Sequence, residues 1–330
     1  MNQTPEAPGA LAPRDTASVY QPSPVFRRLH VIINPAAGSD EPVLKPMNNA
    51  FNELGVDWEI TITRRSGDAE RAALAAAESG VDVVAVYGGD GTVLEAACGL
   101  VGTDVPLMIL PGGTANVLSV ELGVPRPLNK ALALLAEGAS QLRSVDMGRT
   151  GEHYFFHLGM GLEGEMIKAA TREEKNRAGL FAYIASALRN VRSLPPVTYH
   201  LTLDGKQVEV EGVNLMITNF GSLGVAGLSL SKAIDMSDGL MDVLVIHKVD
   251  FKAVVEAAAG ALTNGEVGQP LSQWQVREIT VISDPPQRMT RDGEVYEADK
   301  VHAEIVPQAI RVVVPLAKAK RPERGPLRDL

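Results

Sequence analysis

Short apolar runs alternate with helical spacings through the first half of the chain. Leu29-His30-Val31-Ile32-Ile33, Val81-Asp82-Val83-Val84-Ala85-Val86-Tyr87 and Val105-Pro106-Leu107-Met108-Ile109-Leu110 read as buried strands, and a further strand is expected over 57–62. Between them, Asp68 to Glu78 is an alanine-rich helix pattern stopped by Ser79-Gly80. Val93 to Cys98 and Val117 to Leu122 also have helical spacing. Such alternation predicts a parallel sheet with helices on both faces. Beyond Asp146 the texture changes to short β-like runs: Val197 to Leu203, Gln207 to Val210, Val213 to Thr218, Met241 to His247, then 276–282, 300–306 and 310–314. Asp204-Gly205 is a hairpin signal between the first two. An antiparallel sheet or sandwich follows, interrupted by helices at Gly179 to Val191 and Phe251 to Leu262. The expected organisation is a disordered leader over 1–24, an α/β domain over 25–145, a β-rich domain over 146–316 and a tail over 317–330. The last strand is free to return to the first domain.

Three of the predicted strands end in loops of one chemical character: Asn34-Pro35-Ala36-Ala37-Gly38, Gly88-Gly89-Asp90-Gly91-Thr92 and Pro111-Gly112-Gly113-Thr114-Ala115-Asn116. In an open parallel sheet, ligands bind where such loops gather, at the carboxyl ends of the strands. Glycine lets backbone N–H groups approach an anion closely, and a helix start adds its dipole. Asp90 would repel phosphate unless it acts through a cation, a ribose hydroxyl or a transferable proton. The bland alternative is a Gly-Asp turn. No G-x-x-x-x-G-K-[ST] loop is present, and these three Gly-rich stretches do not fit G-x-G-x-x-G, so they point to neither a Walker ATPase nor a standard dinucleotide fold.

Composition narrows the classes. At 330 residues and 45% apolar, the chain can bury the cores of two domains. A net charge of −9 and a pI near 5.3 argue against nucleic acid as a partner. Cys98 is the single cysteine, so there is no intrachain disulfide and no cysteine-based metal site; it reads as a small core residue. No run approaches ~18 apolar residues, so no transmembrane segment is expected. The first 24 residues lack the pattern of a secretory signal, making a cytoplasmic protein the default.

The trio NPxxG, GGDGT and PxGTAN, in this order and spacing, resembles the diacylglycerol kinase catalytic-domain superfamily, above all its soluble bacterial lipid kinases. NAD kinases and phosphofructokinases are more distant relatives sharing GGDGT. The resemblance runs from Leu29 to Val314 and takes in Phe156-His157-Leu158-Gly159-Met160-Gly161-Leu162, Gly179 to Tyr183, Asp238 to Val243 and Asp292-Gly293-Glu294. It implies an NAD-kinase/phosphofructokinase-like α/β domain followed by a mainly antiparallel β-sandwich. The implied activity is ATP-dependent transfer of the γ-phosphate to a lipid hydroxyl of diacylglycerol, a sphingoid base or a related lipid. By resemblance, Asn34, Thr63, Gly89, Asp90, Gly91, Thr92, Glu95, Gly113 and Thr114 contact ATP. Thr63 as a mere strand-end hydroxyl and Thr92 as a helix N-cap remain open. Glu294 acts as general base, with Asp292 assisting it or holding Mg²⁺ together with Asp90. An ordinary carboxylate suffices as base when the transition state is loose and proton removal comes late. A structural Mg²⁺ is implied at Asp238 with the carbonyls of Asp235 and Leu240; an exposed Asp-Gly turn is the alternative.

Two positions depart from the family pattern: Leu94 stands where the family usually has Asn, and Val117 where it often has Asp. A lipid acceptor at a membrane surface needs an apolar cleft, for which Phe155, Phe156, Leu158, Met160, Leu162, Met166, Ile167 and the Phe181/Tyr183/Ile184 helix are candidates. Core packing is the alternative for all of them. Lys168, Arg172, Lys175, Arg177, Arg189 and Arg192 could meet an anionic lipid surface or simply be solvated, so a peripheral position at the inner membrane surface and a homodimer both stay open. The alternative functions are an NAD-kinase-like enzyme and a nucleotide- or lipid-binding regulator without catalysis.

Overall fold

The computed structural model describes residues 19–38, 42–161, 196–221, 234–247 and 271–316. The first half runs β1 (Tyr20–Pro22), β2 (Arg28–Ile33), α1 (Leu44–Leu54), β3 (Asp57–Ile62), α2 (Asp68–Glu78), β4 (Val83–Gly88), α3 (Asp90–Leu100), β5 (Leu107–Pro111), α4 (Val117–Glu121), α5 (Leu128–Leu132) and β6 (Ser140–Thr150). The second half runs β7 (His153–Phe155), β8 (His157–Gly161), β9 (Val197–Leu203), β10 (Lys206–Gly212), β11 (Asn214–Thr218), β12 (Met241–Ile246), β13 (Leu271–Val276), β14 (Glu278–Asp284), β15 (Arg288–Arg291), β16 (Glu294–Glu297) and β17 (Lys300–Pro315).

Strands β3, β2, β4 and β5 lie side by side and are all parallel. Every residue of β4 and β5 is buried, as expected for strands covered on both faces. Right-handed crossovers put α1 on one face and α2 and α3 on the other. The packing agrees: α2 lies against α3, and α1 against α5. The core between these layers is built from Val31, Ile32, Phe51, Val84, Val86, Leu107, Ile109 and their neighbours.

The last strand ties the halves together. β17 pairs in parallel with β5 at Val312 and Leu107, and antiparallel with β6 and β14. The large sheet therefore continues β10-β9-β14-β17-β5-β4-β2-β3. A second, antiparallel sheet, β13-β12-β11-β8-β15-β16, faces it across a core of Leu158, Met160, Tyr199, Leu201, Val243, Ile279, Val281 and Met289. The architecture is the parallel-rich α/β sheet plus antiparallel sandwich that the resemblance implies.

Several expectations change. The leader expected over 1–24 gives way to order by Val19, which is buried: β1 pairs with β6, and the Arg143 guanidinium lies 5.7 Å from the centre of the Tyr20 ring. The runs at 300–306 and 310–314 form one strand, joined by a bulge where Gln308 takes φ 52°. Strands β15 and β16, four residues each, carry too little periodicity to be read from sequence. Phe155, Phe156, Leu158 and Met160 are core residues rather than cleft lining, each at most 4% exposed. Leu162, Met166, Ile167, the two expected helices, the basic cluster from Lys168 to Arg192 and the tail from 317 lie outside the described residues.

Candidate active site

The GGDGT and PGGTAN loops are pressed backbone to backbone. A Cβ on Gly113 would stand 2.5 Å from the Cα of Gly89, and a Cβ on Gly88 would stand 2.7 Å from the Cβ of Thr92. Asp90 locks the two loops: its carboxylate accepts the N–H of Asn116 at 3.0 Å and of Val117 at 2.7 Å. Asp90 thus sits on the first turn of α4, which Asn116 enters with φ 51°. Burial raises the Asp90 carboxyl above the ordinary range, against the lowering effect of the Val117, Leu118 and Asn116 N–H groups. Thr92 is not the N-cap of α3; that position is Gly89, which has no capping side chain. Instead the Thr92 hydroxyl accepts Asn34 Nδ2 at 2.9 Å, linking the first loop to the second.

Much of the N–H cradle suggested by the sequence is already spent inside the loops. The N–H of Asn34 goes to Tyr87 O, those of Ala36 and Ala37 to Asn34, and that of Gly112 to Gly88 O. Gly113 N–H goes to Asn116 Oδ1 at 2.8 Å. No N-cap side chain bonds the first turn of α1, α3 or α4, and at α4 the Asp90 carboxylate takes that place.

Thr63 and Glu95 lie on the α2/α3 side. Thr63 is buried at the end of β3, its hydroxyl 3.4 Å from Ile33 O. Glu95 accepts Ser66 Oγ at 3.0 Å and Ala69 N–H at 3.2 Å, so it holds the 64–68 loop at the start of α2. On the opposite face, a cavity of about 740 Å³ is lined by Ala36 to Gly38, Pro42, Val43, Pro46, Tyr87, Pro111 to Thr114, Asn116 and 126–129. Its position fits the rule for open α/β sheets: the chain leaves β2 toward one face and β4 toward the other, opening a crevice above the strand ends. Tyr87 forms the floor. A Cβ on Gly112 would lie 3.0 Å from the ring, and a Cβ on Gly38, at φ 91°, 2.1 Å from the hydroxyl. Gly113, Thr114 and the loop beginning at Asn34 border this cavity, whereas Thr63, Asp90 and Glu95 do not.

Asp292-Gly293 is the two-residue turn of the β15–β16 hairpin, with φ 47° and 93°. Asp292 turns its carboxylate inward, where it accepts His157 N–H at 3.0 Å and Phe156 N–H at 3.3 Å. Burial pushes its carboxyl up to about 7, with His157 and Arg291 acting in the opposite direction. Glu294 opens β16 and is exposed. On α3, burial together with the charges of Glu70, Asp292 and Glu95 pushes the Cys98 thiol up to about 12.

The acidic loop before β12 is tied to β6. Asp146, fully buried, accepts Gly239 N–H at 2.5 Å and Gln308 N–H at 2.6 Å. Asp235 is paired with Arg143 at 2.6 Å. Asp238 accepts Leu240 N–H at 2.9 Å and Gln275 Nε2 at 3.3 Å. Burial, with Asp242, Asp235 and Asp146 close by, pushes its carboxyl up to about 7. Among the described residues no group of three His, Cys, Asp or Glu side chains is arranged to hold a metal. Sequence reasoning passed over Tyr87, Asp146 and Arg126; the only signal for the last is its place between Pro125 and Pro127.

Comparison with known proteins covers both halves of the chain. The diacylglycerol kinase catalytic domain family matches residues 28–150, and the YegS C-terminal NAD kinase beta sandwich-like domain matches residues 158–314. A diacylglycerol kinase of Bacillus subtilis (strain 168) is 27% identical over 90% of this chain and 99% of its own length. A Stenotrophomonas maltophilia protein named "Probable lipid kinase YegS-like" is 29% identical over 87% of this chain and 96% of its own. The crystal structure of a diacylglycerol kinase from Bacillus anthracis strain Sterne has a TM-score of 0.71 at 25% identity, covering 88% of this chain and 98% of that one. With both halves matched and the loops in place, the chain belongs to the diacylglycerol kinase catalytic-domain superfamily and is a kinase.

Proposed function

We propose that this kinase transfers the γ-phosphate of ATP to a hydroxyl of a membrane lipid. The observation that carries the reading is the cavity above the strand ends, bordered by the loop after β2 and by the PGGTAN loop, which GGDGT packs against from behind. Phosphoryl transfer asks a protein mainly for positioning and charge neutralisation. Gly113 and Thr114 line the cavity that takes the nucleotide, while Asn34, Gly89 and Thr92 belong to the loops packed behind it. Asp90, Thr63 and Glu95 hold these loops in register through the bonds described above. Asp90 serves here through backbone N–H groups.

In the transfer itself, the lipid oxygen forms a bond to the γ-phosphorus as the bond from that phosphorus to the β-bridging oxygen breaks. ADP departs, and the hydroxyl proton passes to the Glu294 carboxylate. Glu294 is exposed, able to meet a substrate presented from a bilayer; Asp292, fixed by two backbone N–H groups, orients the turn that carries it. Mg²⁺ bound with the nucleotide supplies charge neutralisation. A second cation suits the loop at Asp238 with the carbonyls of Asp235 and Leu240. The ligand set is the one the resemblance implies, and the closeness of Asp242, Asp235 and Asp146 to the Asp238 carboxyl is what supports a cation there.

The test is transfer of labelled γ-phosphate, with magnesium, to a panel of lipids in mixed micelles, with NAD as a soluble acceptor. Label in one lipid class, lost in Glu294→Gln while ATP binding persists, is the expected result. Label in NAD alone, or none despite ATP binding, refutes it.

A further inference from the structure

The cavity over Tyr87 has one charged wall. Among the described residues that line it, Arg126 alone carries a charge; the rest are glycine, alanine, proline, Val43, Leu128, Tyr87, Thr114, Asn116 and Asn129. The guanidinium donates through Nη2 to Thr114 O at 2.5 Å, which fixes it beside the PGGTAN loop. That bond uses one of five N–H donors, arranged in a fork that matches phosphate oxygens. The backbone of Arg126 is held between Pro125 and Pro127, which limits its freedom before any ligand arrives.

Several backbone donors near this wall are already spent. The N–H groups of Gly112, Gly113, Asn116 and Val117 are consumed by Gly88 O, Asn116 Oδ1 and the Asp90 carboxylate. Those of Ala36 and Ala37 across the cavity are consumed by Asn34. Glycines there allow close packing of loop on loop, and the positive charge comes from the side chain. The remaining walls, at Pro42, Val43, Pro46 and Leu128, are apolar and suit a nucleoside. The volume of about 740 Å³ is in the range of ordinary small-ligand sites.

We propose that Arg126 is the polyphosphate anchor of the nucleotide, holding the phosphates against the Thr114 wall and the nucleoside along the Val43 and Leu128 wall. The proposal rests on ATP as the donor. It makes Arg126 a binding and orienting residue for a nucleoside triphosphate, acting on the ground state and the transition state alike.

The experiment is titration calorimetry of the full chain with ATP and with inorganic triphosphate, for the wild type and for Arg126→Ala, Arg126→Gln and Arg126→Lys. Arg126→Gln keeps a donor for Thr114 O without the charge; Arg126→Lys keeps the charge. The expected result is a loss of about 10- to 100-fold in affinity for both ligands in the Ala and Gln variants, with most of it retained in Lys. Unchanged affinity in Arg126→Ala overturns the proposal, as does full affinity in Arg126→Gln, which would reduce the residue to a tether for Thr114. Affinity lost for triphosphate and kept for ATP also overturns it, since the anchor would not be gripping the nucleotide. A wild type that binds no ATP instead removes the donor assignment itself. Melting temperatures of the four proteins without ligand confirm that each is folded.

Discussion

Replacing Asp292 by Asn isolates the energy stored in the hairpin turn. In the unfolded chain the carboxyl titrates near 3.8, and in the folded protein burial pushes it up to about 7. A raised carboxyl binds more protons in the native state than in the unfolded state between these values. Stability therefore falls as pH climbs from about 4 to about 7 and is flat above, once both states are ionised. Three units at 1.36 kcal/mol each set a ceiling of about 4 kcal/mol on the ionisation penalty at pH 8. The residue keeps some exposure beside its inward-facing carboxylate, so about half of that ceiling, about 2 kcal/mol, is taken as the working figure. Asn resembles the protonated acid: it keeps an oxygen for the His157 and Phe156 N–H groups and carries no charge. Asp292→Asn should match the wild type at pH 4 and exceed it by about 2 kcal/mol at pH 8, while losing turnover. The assay is denaturant unfolding at both pH values, followed by the fluorescence of the two tryptophans. Trp58 reports on β3 and Trp274 on β13, so the halves can be followed separately. A pH-independent difference between the proteins, or a variant less stable at pH 8, would refute the reasoning. A gain of stability with a loss of activity would mark a strained functional group.

Two other substitutions test the packing on either side of this turn. Gly113→Ala places a methyl group 2.5 Å from the Cα of Gly89, backbone that cannot move aside, and should cost about 1–3 kcal/mol by thermal unfolding. Gly91→Ala, inside α3 with no atom within 4 Å of the new methyl, should be neutral or stabilising by up to about 1 kcal/mol, and equal losses in both would argue against the loop contact. Tyr296→Phe removes a buried hydroxyl that has no hydrogen-bond partner among the described residues, on a ring the Arg291 guanidinium approaches at 5.6 Å. It should leave stability unchanged or raise it by up to about 2 kcal/mol, and a loss above 1 kcal/mol would contradict the unpaired state of that hydroxyl.

The parallel half was legible because buried strands of five or six residues alternate with helices and end in glycine loops, all local properties. Asp204-Gly205 was legible for the same reason: both residues take positive φ, at 45° and 81°, and the flanking strands pair in register. What escaped was set by distant partners. β15 and β16 draw their order from pairing with β8, and β1 from pairing with β6. The short apolar run Phe155 to Met160 could be a cleft or a core by pattern alone; its burial against Tyr199 and Met289 is decided by the second sheet. At the site, the residue types were readable and their partners were not. Nothing local says that Asp90 would hold Asn116 and Val117, or that Glu95 would hold Ser66 and Ala69.

Those partners also account for the two departures from the family pattern. The Asp90 carboxylate grips backbone N–H groups, which every residue but proline supplies. Valine at 117 therefore donates at 2.7 Å without needing a polar side chain. An aspartate there would add a second carboxylate to the one already seated on the first turn of α4. Leu94 packs partly buried against the first core, so the lost amide is replaced by apolar contact within α3. The next residue, Glu95, takes over polar work on that stretch by holding the loop before α2. Both departures thus leave the loop-to-loop bonds intact, because those bonds run through backbone atoms and through Asp90 and Glu95, which the chain keeps. The regulator reading drew its support from Leu94 and Val117 alone, and the geometry around each of them removes that support.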